Sequence, residues 1–138
     1  MSDRGEASGA AALGSPHEQL ALIYSTFPDA ATARAVGTEL VASRLVACVN
    51  ILGPITSLYL WNGNLETSSE VAVVLKTTRA RLAEALDAAE RLHPYDVPAL
   101  IVIEPAATNP AYLAWAAAGV VPDAALPAGS LDSAGKGQ

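Results

Sequence analysis

Residues 46–61 form a sixteen-residue run rich in β-branched, aromatic and other apolar side chains, interrupted only by Gly53-Pro54. Extended at about 3.3 Å per residue, such a run spans roughly 50 Å. A compact core of about 100 residues has a radius of gyration near 13 Å, hence a diameter of only about 35 Å. The strand must therefore bend back or reach beyond its own globule. Gly53-Pro54 suits a bulge, because proline has no amide to give to a ladder. Asn62-Gly63-Asn64 is a hairpin signal, and Glu70 to Thr78 reads as the returning strand. An overhanging arm that carries Ile55, Leu58, Tyr59, Leu60 and Trp61 leaves apolar surface and open strand edges. Pairing with another copy of the chain removes both, so the hairpin predicts self-association.

The other segments fill in a repeated order. Leu20 to Phe27 has strand length, and Asp29 suits the cap of a helix with the apolar stripe Ala33, Val36, Leu40, Val41 and Leu45. Gly37 weakens that helix, since an interior glycine costs about 1 kcal/mol. Arg79 to Leu92 reads as a second helix with Leu82, Leu86, Ala89 and Leu92 on one side, ended by His93-Pro94. Ala99 to Glu104 is a last strand; Asn109-Pro110 opens a short helix that Gly119 stops. Two β-α-β units make an α+β domain of the ferredoxin-like kind, an antiparallel sheet with its helices on one face. The domain is expected over 18–118, with flexible tails at 1–17 and 119–138, where Gly, Ala, Ser and Pro dominate.

With 51% apolar and 16% charged residues the chain can bury a core. A net charge of −6 with scattered cations repels phosphate backbones, so nucleic acid is not an expected partner. No apolar run nears the roughly 18–20 residues that cross a bilayer, and Met1 to Ser15 lacks a secretory pattern, which leaves a cytoplasmic expectation. One cysteine, Cys48, and two histidines cannot close a four-ligand Cys/His zinc site within one chain.

Ser25-Thr26-Phe27-Pro28-Asp29, Cys48-Val49-Asn50-Ile51, Thr56 to Gly63, Glu70, Lys76-Thr77, His93-Pro94-Tyr95-Asp96-Val97-Pro98 and Pro110 to Trp115 follow one another in register over about residues 20–117. In that order they resemble the CutA family of divalent-cation tolerance proteins. The resemblance implies a homotrimer whose fold is similar to that of PII signalling proteins. It further implies a role in tolerance of copper and other divalent ions; with no complete catalytic constellation in the sequence, that role is expected to be non-enzymatic. No cofactor is required on this reading; copper or another divalent cation would be bound weakly.

Two readings stand for each candidate residue. His93 is a copper ligand by resemblance, or a histidine that ends a helix and bonds locally. Some of the family members that this chain resembles and that bind copper have a second histidine and a thiol where this chain has Leu92 and Ser25. Cys48 is a soft-metal ligand or a small buried hydrophobe. Glu70 and Lys76, six apart on one strand face, line a polar interface site with His93 and Tyr95, or form an interfacial network that fixes register. Tyr59, Trp61, Tyr112 and Trp115 pack at an interface or cap that pocket. Other function classes fit less well. A PII-like module binding a small anion at the subunit interface wants a glycine-rich loop opening a helix. An acylphosphatase-like hydrolase wants an arginine between Ser25 and Ala30. The sequence has neither.

Overall fold

The structure, a computed structural model, describes residues 19–121. Of the tails expected at 1–17 and 119–138, residues 1–17 and 122–138 lie outside the described residues. Strand β1, Leu20–Phe27, turns Ala21, Ile23, Ser25 and Phe27 inward, all buried. Asp29 then accepts the Thr32 amide at 2.7 Å and caps helix α1, Ala30–Ala42. The expected stripe is in place: Ala33, Val36 and Leu40 are buried, and so is Gly37. A Cβ at Gly37 would stand 3.1 Å from Val49 Cγ1. The residue that weakens the helix in the sequence is thus the one that lets α1 lie close on the sheet. Gly37→Val is expected to destabilise the fold by about 1–2 kcal/mol, as overpacking outweighs the gain in helix propensity. The shift in urea midpoint measures it.

After α1 the chain turns through Arg44, whose φ is 63°. The Arg44 Nη1 donates to the carbonyls of Ala118 and Val121 at 3.4 Å, tying this turn to the far end of the domain. Strand β2 runs Cys48–Trp61 and β3 runs Asn64–Thr78, joined by Asn62 (φ 53°) and Gly63 (φ 81°). Two positive φ values in a two-residue loop match the right-handed twist of the strands. The expected break at Gly53-Pro54 is a register shift between Leu52 and Pro54.

β3 starts six residues before the expected Glu70. The turn sets the register from Trp61 opposite Asn64 to Ile55 opposite Glu70, through Glu66, Thr67, Ser68 and Ser69. Those polar residues carry no strand pattern because this stretch covers no core of its own. Helix α2, Leu82–Leu92, starts three residues later than expected, since 78–81 form a turn closed by the Arg81 amide on the Thr78 carbonyl at 3.0 Å. Strand β4 is only Ile101–Ile103, paired with β1, and helix α3 is Pro110–Gly119. Val120, beyond the expected domain end at 118, is buried.

The strand order is β2-β3-β1-β4, all antiparallel, the ferredoxin-like arrangement. One sheet face, with Ile23, Val73 and Leu75, packs on Val36 and Leu40 of α1 and on Ala85, Ala88 and Ala89 of α2. No helix among the described residues is long and apolar enough to cross a membrane.

β1 covers only Val71 to Thr78 of β3. The seven pairs from Trp61–Asn64 to Ile55–Glu70 stand past its end as a two-stranded arm, about 23 Å long. Pairing places Leu58, Leu60 and Leu65 on one face of the arm, and Tyr59, Trp61, Glu66 and Ser68 on the other. The leucines are 66%, 70% and 72% exposed.

Candidate functional site

A groove opens between this arm and the loop that follows α2. The loop is shaped by His93-Pro94: proline forces the preceding residue out of the helical region, and His93 sits at φ −69°, ψ 140°. Its ring turns back under the domain and stacks on Phe27, centroids 4.2 Å apart. The Tyr95 amide donates to His93 Nδ1 at 3.1 Å. That bond leaves the ring proton on Nε2, which donates to the Thr26 carbonyl at 2.9 Å, with Ser25 Oγ at 3.2 Å. Because Nε2 carries the proton, the Ser25–His93 contact is not a nucleophile and base pair.

The same loop delivers Tyr95 to the arm. Its hydroxyl donates to Glu70 Oε2 at 2.8 Å, and Ser57 donates to Oε1 at 2.6 Å. A chain of contacts therefore runs from β1 through His93 and Tyr95 to the root of the arm.

The charges follow from this wiring. Burial lowers His93 below its usual 6.5, against the opposing pull of the Thr26 carbonyl and the Glu70 charge. For Glu70 burial is the largest influence and would raise the carboxyl. Hydrogen bonds from Ser57, Tyr95 and Thr26 together outweigh it, so the group lies below its ordinary 4.5. Tyr95 is pushed up to about 12 by burial and by its bond to Glu70.

These directions fix a pH dependence. Below pH 6.5 the unfolded chain protonates its histidine before the folded one does, so stability falls until the folded value is passed. The Glu70 contribution is present above 4.5 and lost as pH falls through its lower folded value. Tyr95 acts at the other end, its contribution fading as pH rises from 10 toward about 12. The urea midpoint should fall between pH 7 and pH 4, and less steeply in His93→Gln and Glu70→Gln.

The candidate residues divide into two groups. Glu70, Tyr95, Tyr59 and Trp61 meet in the groove, which encloses about 790 Å³. His93 stands behind Tyr95 as its support. Lys76 is six residues along β3 from Glu70, about 20 Å away, and opposite Cys48. Its Nζ lies 3.4 Å from the Tyr112 hydroxyl and 5.3 Å from the ring centre, and Tyr112 packs on Trp115. The structure thus separates Lys76, Tyr112 and Trp115 from Glu70, Tyr95 and His93. Cys48, opposite Lys76 in the pairing of β2 with β3, is buried. Among the described residues no three His, Cys, Asp or Glu side chains converge to hold a metal ion.

Glu66, Asp96, Val97 and Pro28 also line the groove, and none of them is a candidate site residue on the sequence alone. Glu66 was reachable, because a two-residue turn at Asn62-Gly63 pairs it with Tyr59. Asp96 and Val97 adjoin Tyr95, but only the folded loop shows which way they lie.

Residues 21–119 match the family described as CutA1 divalent ion tolerance protein. The divalent-cation tolerance protein CutA of Salmonella newport (strain SL254) is 37% identical over 94 residues, covering 68% of this chain and 82% of the relative. Among solved structures, CutA1 from Ehrlichia chaffeensis aligns with a TM-score of 0.73 at 33% identity, over 75% of this chain and 96% of that one. CutA from Xylella fastidiosa aligns at 0.72 and 34% identity, over 74% and 98%. The arm, the sheet order and the loop at His93 lie within the matched span, and the chain belongs to the CutA1 divalent ion tolerance family.

Proposed function

We propose that this chain works as a non-enzymatic homotrimer in the tolerance of divalent cations, copper among them. The observation that carries the reading is the arm: seven strand pairs with exposed leucines on one face and, among the described residues, no third strand beside them. Left alone it is an aggregation hazard; docked on sister chains it buries its leucines and closes its edges. The role in divalent-cation tolerance comes from the names of the chain's relatives. Sedimentation at micromolar concentration tests the assembly: three chain masses support it, and a stable single chain overturns it.

Copper ligation by His93 has a definite obstacle. The one lone pair on the neutral ring accepts the Tyr95 amide, so a copper ion gains that nitrogen only by displacing the bond. We read His93 accordingly as the support of the groove, with copper bound weakly elsewhere. Calorimetric titration of copper(II) into wild type and His93→Gln should give the same isotherm; loss of a binding step in the variant would restore the ligand role.

A PII-like signalling role is the second reading, favoured by a groove at the root of the oligomerisation arm. Its ligand is not an anion on this geometry. The groove lining carries Glu66, Glu70 and Asp96 and neither lysine nor arginine.

A further inference from the structure

We propose that the groove between the arm and the loop at Tyr95 binds a small organic cation, an amine or guanidinium attached to an apolar body. The inference deepens the proposed function and rests on it for the setting, a groove at the base of an assembled arm. Three features of one cavity point the same way. Its volume, about 790 Å³, is that of a small-molecule site. Its walls are aromatic: Tyr59 and Trp61 stand on the arm, and Tyr95 comes from the loop opposite. Ring faces attract a cation and also cover an apolar body.

Charge is the third feature. Glu70 is held ionised at the root of the arm with both oxygens already bonded, to Ser57 and Tyr95. It therefore contributes negative potential more than direct contact. Glu66 and Asp96 are exposed carboxylates on the same groove, free of any ion pair among the described residues, and no cation in the lining offsets them. An anion entering here meets repulsion from three carboxylates. A bare divalent ion finds no converging set of ligands among the described residues. An organic cation is matched on both counts, with its charge toward Glu66 and Asp96 and its body against the rings.

The test uses the full-length chain and benzyltrimethylammonium as probe, with benzoate as the anionic counterpart at equal ionic strength. The chain has two tryptophans, so in a Trp115→Phe background the fluorescence comes from Trp61 in the groove. Benzyltrimethylammonium should change it saturably and benzoate should not. Glu66→Gln with Asp96→Asn should weaken the amine about tenfold, and Tyr59→Leu about fivefold. Benzoate binding as tightly as the amine, or an amine affinity unchanged in the neutralised variant, would overturn the proposal. Sedimentation of the same samples separates the two readings. An assembled particle that shows no response overturns the groove inference alone. A lone protomer that still takes up the amine overturns only the assembly, and a lone protomer without response overturns both.

Discussion

Leu58→Asp combined with Leu60→Asp should yield a folded single chain in place of the assembly. Both leucines sit on the same face of the arm and are about two-thirds exposed within the protomer. Neither belongs to the core cluster built around Ile23, Leu40 and Leu75. Inside one chain the change therefore removes almost no packing, and far-UV circular dichroism and the urea midpoint of the isolated protomer should be those of a folded domain. Between chains the effect is large. Burying a leucine is worth about 1.5–3 kcal/mol, and a buried, unpaired carboxylate adds a penalty of several more. Two such losses in every copy shift association by at least about four orders of magnitude, at 1.4 kcal/mol per decade. Light scattering at micromolar concentration is the measurement. If the variant keeps the wild-type mass, the leucine face is not the contact, and the assembly must be held elsewhere.

The same arm shows how far the sequence could be read. Its existence followed from length alone, and its bulge followed from a proline that cannot donate. Its second half did not follow, because residues 64–69 pair by turn geometry and face no core in their own chain. Hydrophobic alternation records burial against a chain's own core, and a segment that covers none of that core leaves little alternation to read. Gly37 is the opposite case. Propensity alone marks it as a weakness, yet the 3.1 Å approach of Val49 makes it a condition of packing. The candidate site was legible as a set of residues and not as a geometry. Strand parity put Glu70 and Lys76 on one side, but six residues of extended chain carry them about 20 Å apart. Each then found its partner on a different element, Tyr95 for Glu70 and Tyr112 for Lys76. Those partners come from loops and helix ends, where sequence spacing says little about direction.

His93→Ala should be the most destabilising single change in the site, by about 3 kcal/mol. The ring is 8% exposed and fills the space between Phe27 and the end of α2. Truncating a buried ring to a methyl group leaves a cavity, with losses of about 2–4 kcal/mol where the site cannot collapse. The Thr26 carbonyl and the Tyr95 amide lose their partners in the same step, each at a cost of about 1 kcal/mol unless water replaces the ring. Tyr95→Phe is the proper comparison, since it removes only the hydroxyl donated to Glu70. That bond is half-exposed, and its loss should cost about 1 kcal/mol. His93→Gln keeps a donor and an acceptor without the stacked ring, and should fall between the two. Urea midpoints of the three variants at pH 7 give the order. The order also discriminates between roles: a histidine kept only for metal leaves the metal-free protein nearly unchanged when it is removed. Equal midpoints for His93→Ala and Tyr95→Phe would mean that the imidazole does not hold the loop. The groove would then need another support.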